Sequence, residues 1–72
     1  MNRQSNPTQG VGAQIRSARN QRGWTQHELA DKAGVSRPTV ARAETGGDAS
    51  SKTLQKLAAA LDVAFVISPS YD

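Results

Sequence analysis

The 72-residue sequence contains no cysteine, so it offers neither a disulfide nor a thiolate ligand for a metal. Its single histidine, His27, has no second imidazole with which to build a zinc site; beside Glu28 it is expected on an exposed face. Long apolar runs are missing as well. None approaches the about 18 residues of a membrane span, and the start of the chain lacks the apolar core of a secretion signal, so a cytoplasmic protein is expected. Hydrophobic residues make up 36% of the chain and many are alanine, so a single copy is expected to be marginally stable unless another chain adds buried surface. Gly10 and Gly12 imitate the opening of a nucleotide-binding loop, but no third glycine follows in register and no strand precedes them. No cofactor is expected. So short a chain also builds no substrate cleft around its serines, so catalysis is not expected either.

What is present is positive charge. Nine Lys and Arg stand against six Asp and Glu, a net charge of +3, and the isoelectric point is near 10.0. A polyanionic partner suits this balance, but so does mere solubility. Where the charge sits decides between them.

The informative stretch is residues 25–46, TQHELADKAGVSRPTVARAETG. Thr25 with Glu28 three residues later is the spacing of a capping box, and Trp24 before it can close over the helix as a staple. Leu29, Ala30 and Ala33 fall on one side at helical spacing, with Gln26, Glu28, Asp31 and Lys32 turned outward. Ala30 is small enough for a second helix to cross tightly. Gly34 supplies the left-handed turn that ends the first helix. Ser36 caps the next, and Pro38 is tolerated because its missing N–H lies in the first turn. There Val40 and Ala43 face in, Arg37, Thr39, Ala41 and Arg42 face out, and Thr45, Gly46 and Gly47 end the helix.

With Gln26, Ala30, Gly34, Val40, Glu44 and Gly46 in these places, the chain from about Val11 to Val63 resembles the helix-turn-helix of the phage Cro and repressor proteins, the XRE family. The resemblance implies an all-α, lambda-repressor-like domain of four helices. It also implies that Arg19 pairs with Glu44, joining the first helix to the end of the recognition helix.

Residues 1–10 are polar, aperiodic and read as a disordered N-terminal arm, in which Arg3 either touches a DNA backbone or is part of a plain tail. Residues 11–62 form the DNA-binding domain. Within it Val11, Ile15, Ala18 and Arg22 recur at helical spacing before Gly23, while Arg16 and Arg22 are expected as surface charges able to approach phosphate. Thr45 to Ser50 read as a loop. After a cap at Ser50 or Ser51, Leu54, Leu57, Ala58 and Leu61 make the buried stripe of a last helix, with Lys52, Gln55 and Lys56 in water.

Residues 63–72 differ in kind. Val63, Phe65, Val66 and Ile67 crowd into a short β-branched and aromatic run ahead of Pro69, which reads as a strand. No other strand is available to pair with it, so a two-fold homodimer joined by a short intermolecular sheet is expected. The alternative is that 64–68 add a helical turn or pack as coil. A four-helix domain ending in such a strand resembles the HipB-type antitoxins, dimeric repressors that also bind a toxin protein.

DNA contacts follow from the same reading. Gln26 and the free N–H groups at the start of its helix suit a phosphate, with Thr25 and Thr45 as helpers. Arg37 and Arg42 would bridge guanine O6 and N7 in the major groove, and Thr39 adds a base or phosphate contact. By its place in the family, Pro38 also faces the bases, but it can offer only apolar contact where many relatives carry glutamine. Ala41 has lost the polar contact that relatives often make. A dimer would read a palindromic operator with half-sites about 34 Å apart. Two functions are open: the autoregulating antitoxin of a type II toxin–antitoxin operon, with a HipA-like kinase as candidate toxin, or a phage-type or stand-alone regulator without one.

Overall fold

The computed structural model describes residues 10–46 and 49–65. They form four helices, α1 Val11–Gln21, α2 Gln26–Ala33, α3 Arg37–Gly46 and α4 Ser51–Leu61. The expected arm with Arg3, and Val66 and Ile67 of the expected strand, lie outside the described residues. The part of that strand which is described, residues 63–65, has no regular secondary structure in the single chain.

Local chemistry sets most of the boundaries. The Thr25 hydroxyl accepts from the Glu28 N–H at 3.0 Å, and the Thr25 N–H donates to the Glu28 carboxylate at 2.8 Å, closing the capping box of α2. Gly34 ends α2 in the left-handed region at φ 73°, where its N–H and that of Val35 both bond the Ala30 carbonyl. Ser36 receives the Thr39 N–H at the start of α3, and Ser50 receives that of Thr53 at the start of α4. Pro38 lies in the first turn of α3, where no helical donor is lost. Thr45 and Gly46 belong to the last turn of α3 instead of the loop expected to begin at Thr45. The Thr45 hydroxyl bonds back to the Ala41 carbonyl at 2.8 Å, a pairing that a helical turn itself provides.

Ile15, Leu29, Ala30, Val40, Ala43, Leu57 and Leu61 form the core, with Leu54, Trp24, Ala18 and Phe65 packed around it. α3 lies against both α1 and α2, and α4 packs against α2 and, less extensively, against α1. Of the stripe expected on α4, Leu57 and Leu61 are fully buried while Leu54 and Ala58 are half-buried. Arg22, expected as a surface charge, is exposed. Its guanidinium reaches across to the Leu61 carbonyl at the end of α4, and it also lies 5.4 Å from the centre of the Trp24 ring, which Lys32 approaches at 4.9 Å. Gly12 is buried where α1 meets α3: a Cβ there would stand 2.5 Å from the Glu44 carbonyl oxygen and 2.7 Å from that of Ala43.

Candidate nucleic-acid interface

α3 presents one buried side and one open side. At about 100° per residue, Val40, Ala43 and Glu44 occupy the inward arc. Arg37, Pro38, Arg42 and Thr45 lie on the exposed arc, with Ala41 half-buried among them and Thr39 half-buried at its edge. The Thr39 and Ser36 hydroxyls are 2.8 Å apart, so Thr39 is tied to the helix start. Arg42 is exposed and makes no hydrogen bond or ion pair among the described residues. It is a cation held out on a helix with no described residue to neutralise it.

Arg37 is anchored. Its Nη1 donates to the Gln26 Oε1 at 3.1 Å, while the Gln26 Nε2 donates to the Glu44 Oε1 at 3.1 Å. Gln26, expected to turn outward, is therefore half-buried, with its amide held between α2 and both ends of α3. At this end the backbone N–H groups of the first turn of α2 are open to an anion, and beside them the second Nε2 hydrogen of Gln26 and the proton of the Thr25 hydroxyl, which only accepts in the capping box, are further donors. Periodicity could not have found this network, because 18 residues separate Gln26 from Glu44. The visible signal was chemical: a long amide at the first position of a helix.

Behind the amide lies an ion pair. The Arg19 Nε meets the Glu44 Oε2 at 2.6 Å, and the side chains are 13% and 2% exposed. Arg19 Nη2 also donates to Glu44 Oε1 at 3.0 Å, and Nη1 to the Trp24 carbonyl at 2.7 Å, so one guanidinium ties α1 to α3 and to the start of α2. The hydrogen bond to Glu44 holds the Arg19 guanidinium above its ordinary value despite burial. Burial pushes the Glu44 carboxyl upward. The hydrogen bonds from Arg19 and Gln26, with the charges of Arg19 and Arg16, together outweigh that and leave it below its ordinary value. Glu44 is thus ionised yet neutralised, and its charge does not oppose an anion on the outer side of α3.

No other chemistry gathers here. Among the described residues, no group of three or more His, Cys, Asp or Glu is placed to hold a metal ion, and no helix is long and apolar enough to cross a membrane. His27 is exposed, 3.8 Å from an equally exposed Asp31.

This architecture has solved counterparts. A chain in the structure of a HipA–HipB–O2–O3 complex is 28% identical over 99% of this chain and all of its own length, with a TM-score of 0.72. A structure described as an MDT protein matches with the same identity, coverage and TM-score. A chain of a HipB–O1–O2 complex is 27% identical over 96% of this chain and 100% of its own, with a TM-score of 0.71. No curated protein sequence shows significant similarity to the chain. The helix-turn-helix family model matches residues 15–67, more than half of the sequence and all of α2 and α3. The chain belongs to the XRE-type helix-turn-helix family.

Proposed function

We propose that the protein is a sequence-specific DNA-binding repressor that acts as a homodimer, and that it is the antitoxin of a type II toxin–antitoxin operon whose promoter it represses. The observation that carries the DNA reading is the outer side of α3, where among the described residues Arg42 is unpaired and Arg37 is anchored at one end only. Five residues of helix separate them, a rise of about 7.5 Å, so the two guanidinium groups can address bases about two steps apart in one major groove. Arg37 and Arg42 read guanine edges, Pro38 and Thr39 line the same groove, and the first turn of α2 with Thr25 and Gln26 takes the phosphates, joined by Thr45 once its hydroxyl turns from the Ala41 carbonyl. The antitoxin reading draws on the HipB chains that match along their whole length, one of them in complex with HipA. A HipA-like kinase is the corresponding partner. The dimer draws on residues 63–67, where Val63 is 38% exposed although large and apolar. Such a protein works in the cytoplasm, on the nucleoid.

The test begins with selection of duplexes from a randomised library by the wild-type protein. On the enriched duplex, Arg42→Ala should lose affinity by about 5- to 150-fold and lose preference at one base position. Unchanged affinity and unchanged preference would overturn the reading. Purification of the tagged protein from its own operon then decides the antitoxin assignment: a stoichiometric kinase-like protein supports it, and purification with DNA alone overturns it.

A further inference from the structure

The Gln26 amide has a direction, and the structure says what fixes it. Glu44 is an ionised carboxylate and can only accept, so the end of the amide facing it must be the Nε2 donor, 3.1 Å away. The carbonyl end is thereby turned toward Arg37, which can only donate, at 3.1 Å. A reversed amide would set two acceptors against each other at Glu44 and two donors at Arg37, so both neighbours enforce one orientation. Glu44 is itself immobile, since Arg19 holds both of its oxygens. Of the guanidinium donors of Arg37, Gln26 engages one at Nη1; Nε and Nη2 remain for a bidentate contact.

We infer that Glu44, although buried and remote from any base, is a specificity-determining positioning residue: through Gln26 it sets the direction in which Arg37 meets the duplex. Three side chains on two helices form a one-way chain of donors and acceptors that ends at the base edge. The inference rests on the reading of Arg37 as a base contact, and the experiment separates the two. A neutral amide at position 44 can offer either a donor or an acceptor, so Glu44→Gln releases the direction of Gln26 while keeping the shape of the side chain.

The readout is the discrimination ratio, the affinity for the duplex enriched by the wild type divided by that for duplexes changed at the base assigned to Arg37. A lowered folded fraction or a lost phosphate contact reduces both affinities alike and leaves this ratio unmoved. Glu44→Gln should lower the ratio by about three- to tenfold, the usual coupling within one hydrogen-bonded network. Gln26→Met, which leaves the Arg19–Glu44 pair intact, should lower it similarly and decides alone if Glu44→Gln does not fold. In an Arg37→Ala background, Glu44→Gln should change nothing further at that base. If Arg37→Ala abolishes the preference while both other variants keep it, the chain through Gln26 is overturned and the DNA reading stands. If Arg37→Ala keeps every preference, the assignment of Arg37 fails, and the inference with it.

Discussion

A methyl group added at Gly12 would stand 2.5 Å from the Glu44 carbonyl oxygen, whereas one added at Gly34 would meet nothing within 4 Å. The two glycines therefore resist alanine for different reasons. At Gly12 the obstacle is backbone, which cannot swing aside, and overpacking of this kind costs about 1–3 kcal/mol. At Gly34 space is ample, but φ of 73° is unfavourable for an L side chain by about 1–2 kcal/mol. Urea unfolding should show both losses. Only Gly12→Ala, by forcing α3 away from α1, should also weaken DNA binding beyond its effect on the folded fraction. Glu44 gives a prediction in pH. Its folded value lies below the ordinary 4.5, so its ionised form favours the fold; that contribution is whole above pH 4.5 and is lost as pH falls through the lower folded value. An acid titration followed by circular dichroism should show stability dropping in that range. The drop should be shallower in Glu44→Gln.

α2 has only eight residues, too few to persist as an isolated helix, so its caps and its packing hold it. Thr25→Ala removes the hydroxyl that receives the Glu28 N–H and should cost about 1 kcal/mol in a thermal or chemical melt. The helices themselves were legible in the sequence because their signals are local. Thr25 with Glu28, Gly34, Ser36 and Ser50 all act within one turn, and the stripe of α4 repeats every three or four residues. What could not be read from spacing is what joins one helix to another. Nothing in periodicity announces that Gln26 lies between Glu44 and Arg37, or that the surface charge Arg22 is tied to the Leu61 carbonyl. Gly10 and Gly12 imitate the opening of a nucleotide loop but lack its third glycine and its strand, so spacing leaves Gly12 without a role. Only the approach of α3 shows that its missing side chain is a matter of clearance.

Among the described residues the fully buried core is small: seven residues, two of them alanine. Phe65 packs against that core from beyond the last helix, and Val63 beside it stays exposed, so the segment after α4 is half engaged and half available. Removal of residues 63–72 should convert the proposed dimer to a monomer in sedimentation velocity. It should also abolish preferential binding to duplexes carrying two half-sites, while a single half-site is still bound weakly. A truncated protein that sediments as the full chain does would assign dimerisation elsewhere. Salt should act on the intact dimer more steeply than on the monomer, because twice as many phosphates are neutralised.

Trp24 is the only tryptophan in the chain, and both the Arg22 guanidinium and the Lys32 ammonium lie over its ring. The protein consequently carries its own fluorophore at the joint between α1 and α2, its emission tuned by two cations that separate from it on unfolding. Because Arg22 also grips the Leu61 carbonyl, the same indole registers whether α4 is seated. One intrinsic optical signal, with no dye attached, thus follows the closing of the bundle.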